Sequence, residues 1–298
     1  MLRYRVAAVL AAVIVIVLPL ALGACGGEEE AEASPATHRS FDRNNFSDST
    51  NIDNKYSPLV PGTQFVYEGR SNRGGGRLPH EVIFTATDLT KEIDGVRAIV
   101  MWDQDINDGK LLEGELALFA QDDDGNVWNM GEYPEEYDEN GRFEDAPDTW
   151  LSGVQGARAG VHMRANPKTG TSAYRHGLAP KIGFEDLAKV FKTGQKDCVP
   201  TGCYEDVLVT DETNPAEPND GHQLKYYAPG IGNIRAAPGK GGKEREVLLL
   251  VEAGKIDAAE LAEARRNALK LDKRAYRTQK DVWGTTKPVE RTLDTDAQ

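Results

Sequence analysis

The sequence predicts a mainly β fold: a curved antiparallel meander sheet or half-barrel with one α-helix packed on it near the C-terminus. Short segments rich in Val, Ile, Thr and aromatic residues follow one another from about residue 52 to residue 251. Asp-Gly or Asn-Gly dipeptides lie between many of them, and these are strong signals for tight hairpin turns. No strand–helix–strand alternation occurs, which argues against a parallel sheet.

The N-terminal segment has the order of an export signal. Two arginines precede an apolar stretch from Val6 to Leu22, which is slightly shorter than a membrane span requires. The letters LGAC at residues 22–25 resemble a bacterial lipobox, whose cysteine receives a lipid and becomes the first mature residue. We predict that residues 1–24 are a lipoprotein signal peptide and that lipid on Cys25 anchors the protein to the outer face of the cytoplasmic membrane. A plain secretory signal or an uncleaved anchor is the alternative.

The segment that follows, residues 25–50, is polar, acidic and poor in apolar side chains. It buries too little surface to offset its ordering entropy, so we expect a disordered tether. The whole chain has a formal net charge of −13. Such a charge argues against a nucleic-acid partner, whose phosphates require clustered Lys and Arg. Because anionic headgroups repel this charge, we expect the Cys25 lipid to supply the membrane attachment.

Eight segments have the composition of strands, and two further regions are less regular. Residues 133–171 are rich in Gly, Pro and acids, so we expect a loop-rich insertion there. Residues 183–194 fit a short helix or a strand, with a strand favoured from Lys189 onward. The eight predicted strands are residues 64–69, 80–93, 96–105, 110–121, 126–132, 203–212, 222–229 and 245–253.

Alternation within these segments predicts a sheet with one buried face and one mostly wet face. Val82 and Phe84 fall on one face of their strand. Leu116 and Leu118 share a face of another strand, and the neighbouring glutamates point the opposite way. We expect these apolar sets to form one common face. Gly114, inside a strand, predicts a bulge or a sharp bend.

The end of the chain changes to a helical pattern. Asp257, with a glutamate three residues later, fits a capping box, and alanines and leucines then recur at spacings of three and four. This narrow apolar stripe predicts a helix that docks on the sheet. We therefore divide the mature chain into a β domain (51–253), a helix (254–278) and a tail (279–298) that is disordered except near Trp283.

Two cysteines remain after Cys25, Cys198 and Cys203, in the segment KDCVPTGCYEDVLV. Proline and glycine between them predict a turn, and four intervening residues suit a bridge across a hairpin. An even pair in an exported chain favours a disulfide. A redox dithiol or a metal site is the alternative, although the former usually has the spacing CxxC and a zinc site needs four ligands.

Several blocks together resemble a family of uncharacterised exported lipoproteins of high-GC Gram-positive bacteria. The resemblance implies an exported, lipid-anchored protein and carries no established activity. The blocks also resemble the curved half-barrel sheet of lipoprotein carriers, which is a likeness of fold alone. The blocks are PLVPGTQFVYEG (58–69), TDLTKEIDGVRAIV (87–100), AQDDDGNVWNMGEY (120–133), VPTGCYEDVLVT (199–210) and KYYAPGIGNI (225–234).

Motifs for common chemistries are missing or incomplete. No GxSxG serine elbow occurs, HEVIF at 80–84 lacks the second histidine of HExxH, and the glycine clusters lack the GK[ST] of a phosphate-binding loop. The acidic turn at 121–126 fails the EF-hand spacing, so a turn with solvated acids is the better interpretation, with a different type of calcium site as the alternative. We predict no cofactor.

The favoured function is therefore a non-enzymatic binding or envelope interaction module. If the helix covers only part of the apolar face, a groove remains for a lipid-like ligand; if helix and loops fill that face, an envelope protein is the expected partner. The candidate groove residues are Trp102, Phe84, Leu116, Leu118, Tyr226 and Tyr227.

The alternative class is a secreted hydrolase. Two carboxylates on one face of a strand can act as a general acid and a base or nucleophile in glycoside hydrolysis. Trp102 and Trp128 could provide a platform for a sugar, although strand tryptophans more often pack in a core. The candidate pairs are Asp103 with Asp105, and Glu113 with Glu115.

Overall fold

A computed structural model provides the structure of the β domain, the helix and most of the tail. The predicted signal peptide, Cys25 and the first part of the tether lie outside the described residues, as does the last part of the tail. The structure describes residues 40–72, 76–216, 218, 221–242 and 246–292.

Among the described residues, fifteen strands make one antiparallel sheet, and twelve of them close into a barrel. β1 pairs with β2 on one side and with β14 on the other, so the path through the sheet returns to its start. β6, β7 and β15 are short additions to its edges. The strands are β1 (Thr63–Ser71), β2 (Leu78–Ile93), β3 (Val96–Asn107), β4 (Lys110–Gln121), β5 (Val127–Tyr137), β6 (Phe143–Asp145), β7 (Trp150–Leu151), β8 (Arg158–Met163), β9 (Tyr174–Ala179), β10 (Phe184–Val199), β11 (Gly202–Thr213), β12 (Gln223–Ala228), β13 (Gly232–Pro238), β14 (Glu246–Lys255) and β15 (Glu290–Arg291).

The mainly β antiparallel fold with one long helix is confirmed, but the sheet is closed rather than a half-barrel. All eight predicted strands are present. Four further strands complete the barrel and are not among the eight predicted ones: β8, β9, β10 and β13. β8 lies in the region expected to be loop-rich, and β10 spans the region left open between helix and strand. β8 and β9 each have only six residues, include a glycine and lack a clean alternation of polar and apolar residues. Their sequences therefore do not indicate strands.

The hairpin turns follow from the Asp-Gly dipeptides. Asp94 and Asp108 take positive φ angles of 50° and 49°, and the glycines after them have φ of 80° and 74°. This conformation at both central residues is the one that two-residue hairpins require. The bulge or sharp bend was predicted at Gly114, but the register between β3 and β4 shifts beside it, between Asp105 and Ile106 of β3. Gly114 itself pairs in register with Gln104 and Glu135. A Cβ there would approach the ring of Tyr137 to 3.3 Å, so glycine makes room for that ring.

A layer of other elements covers the outer face of strands β2 to β5. Helix α1 (Ala258–Thr278) begins with the predicted capping box, in which Asp257 accepts hydrogen bonds from two backbone N–H groups and Glu260 accepts one from the backbone of Asp257. Its buried residues are the predicted stripe of alanines and Leu271, together with Asp272. No helix among the described residues is long and apolar enough to cross a membrane.

The chain on either side of the β domain is more ordered than expected. From residue 40 onward the predicted tether packs on the sheet, where the rings of Phe41 and Phe46 lie 5.6 Å and 6.0 Å from the ring of Trp128. The tail continues past the buried Trp283 to β15, which pairs with β2. Both segments are ordered for the same reason: a few aromatic and aliphatic side chains suffice to dock a polar segment on an apolar face.

Candidate ligand-binding site

The register of the sheet places acidic side chains inside the barrel. Residues directly paired in an antiparallel sheet share a face, and neighbours along a strand alternate between faces. Phe84 pairs with Asp103, and Asp103 pairs with Glu115, so these three point into the lumen. Trp102 and Leu116 form the next pair and point outward.

A cavity of about 280 Å³ occupies the lumen. Strands from all around the barrel contribute to its wall, which combines aromatic rings with ionisable groups. Apolar side chains fill another part of the lumen, where Tyr67, Leu248 and Leu250 are buried. The cavity is lined by Ser57, Pro58, Leu59, Phe65, Phe84, Met101, Asp103, Glu115, Ala117, Phe119, Asn129, Glu132, His162, His176, Phe184, Asp186, Lys225, Tyr227, Ile231, Gly232 and Asn233.

Three carboxyl groups come together on the wall made by β3, β4 and β5: Asp103, Glu115 and Glu132. Burial raises the pKa of Asp103 and of Glu115 well above their ordinary values, and repulsion from Glu132 and other neighbouring carboxylates raises both further. The pKa of Glu132 is also raised by burial, although hydrogen bonds from Asn129 and Trp150 oppose the shift. This wall therefore resists carrying its full negative charge.

The rest of the lumen contains an ion pair and two neutral histidines. Burial alone would raise the pKa of Glu212, but the Lys225 ammonium, 2.9 Å away, lowers it to about 2. Burial lowers the pKa of His162 to about 3, with a further contribution from His176, whose own pKa is also lowered by burial. Both imidazoles are therefore neutral at pH 7, and Lys225 is held by Glu212.

Two polar atoms in the cavity wall lack a partner among the described residues. Asp103 Oδ1 and His176 Nε2 are fully buried without a hydrogen bond, and each residue is only 8% exposed. Buried polar atoms are normally hydrogen-bonded, and leaving one unsatisfied costs about 1–3 kcal/mol. Both residues line the same cavity, whereas Tyr174 Oη, a third buried atom without a partner among the described residues, belongs to a residue outside the cavity lining.

The six predicted groove residues do not form one surface. Phe84 and Tyr227 line the cavity. Trp102, Leu116 and Leu118 belong to the core on the outer face, where both leucines are fully buried, and Tyr226 stacks near the Arg235 guanidinium. The expectation that Phe84 and the leucines share a face is wrong. Alternation shows which residues of one strand share a face, but only the register between strands shows which residues of different strands do.

The predicted carboxylates do lie close together, but in different pairs from those predicted. Asp103 and Glu115, assigned to different pairs, oppose each other across β3 and β4, and Asp105 opposes Glu113 in the same way. The sugar platform is wrong: Trp102 faces outward, and Trp128 is buried and donates its indole N–H to Asp122.

Other site residues carried no recognisable motif: Glu132, His162, His176 and Lys225. A signal for Glu132 did exist, since it adds a third acid on a neighbouring predicted strand. Nothing local to His162 or His176 distinguishes them, because β8 and β9 were not predicted. Within the described ranges, no group of three or more His, Cys, Asp or Glu side chains is arranged to hold a metal ion.

The cysteine pair lies away from the cavity, at the end of the β10–β11 hairpin. Cys198 and Cys203 are directly paired residues at disulfide distance, with their sulfurs 2.10 Å apart. Asp197 beside them accepts two hydrogen bonds from the Arg235 guanidinium, which ties the end of this hairpin to β13.

Comparison with known proteins gives little beyond the fold. No protein-family model and no curated protein matches the chain. A solved structure from Bacteroides fragilis, of a protein described as exported and as having a YmcC-like fold, is 14% identical in sequence and has a TM-score of 0.36. The alignment covers 67% of this chain and 99% of that one. At this TM-score the likeness is too weak to transfer a function or a location.

Proposed function

We propose that this protein is a lipid-anchored, extracytoplasmic binding protein that holds a small amphipathic ligand in the lumen of its barrel. The observation that carries the proposal is the cavity of about 280 Å³ whose wall combines apolar rings with the unpaired, buried Asp103 Oδ1 and His176 Nε2. Ligand sites are typically concave and mostly apolar, with a few polar groups that fix the ligand's orientation.

The lumen suits a ligand better than the outer face does. Helix α1 and the tail cover the outer face, and the leucines predicted to line a groove have no exposed surface there. We therefore place the binding site for the lipid-like ligand in the lumen and not on the outer face. The size of the cavity favours a short apolar body over a whole lipid.

Filling the cavity tests this proposal. N-phenyl-1-naphthylamine, a neutral dye that fluoresces in apolar sites, should bind wild-type protein saturably. Ala117 lines the cavity and is 4% exposed, so Ala117→Trp should weaken dye binding by about tenfold or more, equivalent to about 1.4 kcal/mol. Met101→Phe is a milder filling variant in case Ala117→Trp does not fold. Ala258→Trp, at the exposed start of α1, is the matched control.

Binding that is equal in the filling variants and the control would contradict a lumenal site. Extraction of protein purified from its native host, followed by mass spectrometry, should release a small molecule from wild type and less of it from Ala117→Trp.

The location is tested separately at Cys25. We expect Cys25→Ser to abolish incorporation of labelled fatty acid and to leave the protein unprocessed or mislocalised, because the thiol is the acceptor in a lipobox. Equal labelling of wild type and variant would contradict lipid anchoring and would leave the lumenal site unaffected.

A secreted hydrolase is the second candidate, favoured by the direct opposition of Asp103 and Glu115. Directly paired positions place Cβ atoms about 4.5–5.5 Å apart, which is compatible with two carboxyl groups acting on one bond. Chromogenic glycosides test this candidate: turnover should disappear in both Asp103→Asn and Glu115→Gln. Turnover that survives either substitution would exclude this pair as the catalytic residues.

A further inference from the structure

The chemistry of the cavity wall narrows the class of ligand. We infer that the lumen binds an organic ammonium ion, with its protonated nitrogen between Asp103 and Glu115 and its apolar body against the phenylalanine rings. This inference rests on the proposed function, because it requires that the lumen bind a ligand at all. It adds the sign of the ligand's charge and the residues that contact the charged group.

The charge balance of the wall favours a cation. Four carboxyl groups and one ammonium group line the cavity among the described residues. The ammonium group, Lys225, forms an ion pair with Glu212, so it does not neutralise Asp103 or Glu115 directly. The two histidines in the wall are neutral, since burial lowers the pKa of each. On the β3–β5 wall, the positive charge of Lys225 lowers the pKa of Glu132, whereas no cation among the described residues opposes the raised pKa values of Asp103 and Glu115.

Within that wall, Asp103 and Glu115 are better placed than Glu132 to accept a ligand's N–H groups. Glu132 already accepts hydrogen bonds from Asn129 Nδ2 and from the Trp150 indole N–H, which occupy both of its carboxylate oxygens. Asp103 Oδ1 is buried and has no partner in the described chain. An ammonium ion beside Asp103 favours the ionised form of its carboxyl group, which then only accepts hydrogen bonds, so a protonated amine supplies the donor that this oxygen lacks.

The surroundings of the two carboxyl groups suit the rest of such a ligand. Phe84 is paired with Asp103, and Phe65 is paired with Phe84, so two rings lie on the same face beside the acidic wall. Phe119, two residues beyond Ala117 on β4, lines the cavity as well. Aromatic rings attract cations placed over their faces and also pack against aliphatic groups.

The same wall disfavours other ligands of similar size. An anion would add a like charge beside carboxyl groups whose pKa values repulsion has already raised. A neutral alcohol can donate one hydrogen bond, but unlike an ammonium ion it does not favour the ionised form of a carboxyl group beside it. Burying an unpaired charge costs much more than burying a paired one, so an ammonium ion should be preferred over its neutral isostere.

Three probes of equal chain length test the inference: octylammonium, octanol and octanoate, each titrated into the protein at pH 7 by calorimetry. We expect octylammonium to bind about tenfold or more tightly than octanol, a difference of about 1.4 kcal/mol, and octanoate to bind most weakly. In Asp103→Asn the preference for octylammonium should fall by about tenfold while the affinity for octanol stays the same.

Two controls separate the lumen from the acidic surface. Asp281→Asn changes an exposed aspartate and should leave all three affinities unchanged. Raising the salt concentration should weaken octylammonium binding only slightly, because charges in a lumen are screened much less than charges on a surface. A steep loss of affinity with salt, equal in wild type and Asp103→Asn, would assign the binding to the surface and overturn the inference.

The remaining outcomes distinguish this inference from the proposed function. If octanol binds as tightly as octylammonium and Ala117→Trp blocks both, the lumen is a binding site and only the ammonium assignment is wrong. If octylammonium is preferred but Asp103→Asn and Glu115→Gln leave the preference intact, the carboxyl assignment is wrong. If no probe binds and the naphthylamine dye does not bind either, the proposed function fails and the inference fails with it.

Discussion

The two faces of strands β2 to β5 are both buried, but they treat buried charge in opposite ways. On the outer face, Lys91 has a fully buried side chain and every polar contact it needs. Its ammonium donates to Tyr276 Oη at 2.8 Å and to the Lys287 carbonyl oxygen at 2.6 Å, and it lies 3.4 Å from Asp272 Oδ1. It also lies 4.6 Å from the centre of the Trp283 ring.

Glu135 on the same outer face shows the same pattern. It is fully buried and accepts hydrogen bonds from the hydroxyls of Tyr133 and Tyr137 and from the Arg274 guanidinium of helix α1. Burial raises the pKa of Glu135, while these three groups oppose the shift. The outer face therefore uses its buried charges to fix the helix and the tail in place.

The lumenal face, built from alternate residues of the same strands, leaves Asp103 without such partners and keeps a cavity beside it. A protein selected for stability alone would fill this space or pair this charge, as the outer face does. The outer face therefore stabilises the fold, and the lumen has the features that the proposed binding site requires. Four predictions test that contrast, in order of decreasing effect.

The largest effect is expected from breaking the outer-face network. Lys91→Met removes one member of a buried ion pair and leaves Asp272 with a buried negative charge, which typically costs about 3–5 kcal/mol. Urea denaturation followed by circular dichroism measures the loss. Lys273→Met, at an exposed position of α1, should change the free energy of unfolding by less than about 0.5 kcal/mol. Equal stability of the two variants would mean that the buried network does not stabilise the fold.

A smaller loss of stability is expected from removing the disulfide of the β10–β11 hairpin, which lies outside both faces of strands β2 to β5. Replacing both cysteines by serine, Cys198→Ser with Cys203→Ser, should cost at most about 2 kcal/mol, because the loop closed by the bridge is short. The Asp197–Arg235 pair still holds the end of the hairpin, so the barrel and dye binding in the lumen should remain intact. Two titratable thiols in native, non-reduced wild-type protein would contradict the bridge.

In the lumen, a substitution of a buried charged group should stabilise the protein instead of destabilising it. Asp103→Asn removes a buried carboxyl group that repels Glu132 and Glu113, so it should stabilise the protein at pH 7 by about 1–2 kcal/mol. The melting temperature measures this gain, and Asp281→Asn provides the comparison at an exposed position. A destabilised Asp103→Asn variant would show that the carboxyl group supports the fold and would remove the contrast between the faces.

The smallest effect is the pH dependence of that gain. The pKa of Asp103 is raised in the folded state, so its contribution to stability is fully present below the unfolded pKa and is lost as the pH rises through the folded pKa. The advantage of Asp103→Asn over wild type should therefore shrink as the pH falls from 7 and vanish once Asp103 is protonated in both states. An advantage that stays constant over this range would exclude titration of Asp103 as its cause.

Pattern reading predicted much of the scaffold because the relevant signals are local. Asp-Gly dipeptides locate hairpins, since the required positive φ angles are a property of two adjacent residues. The capping box at Asp257 and the alanine stripe predict α1 from within one helix. The segment from 40 to 50 and the tail were misjudged because their order depends on contacts with the sheet, such as those of Phe41 and Phe46 with Trp128.

The candidate site was predicted in parts and assembled incorrectly. Carboxylates at alternate positions of β3 and β4 were identified as potential partners, but within each strand rather than across the two. Phe84 and Leu116 were assigned to one surface although the register places them on opposite faces. His162 and His176 were missed because their strands are short and irregular.

The sequence by itself determined eight of the antiparallel strands, the Asp-Gly turns and the C-terminal helix, because each depends on neighbours a few residues apart. The tertiary structure alone decided that the sheet closes, which face became the lumen, and which carboxyl groups meet there. Closure depends on the pairing of β1 with β14, strands separated by most of the domain. Once the sheet closes, the face of β4 that alternation predicted to be wet lies inside the barrel, beside the Phe84 face of β2, which was predicted to be buried. The acids that line its cavity are then buried, and burial and mutual repulsion raise their pKa values.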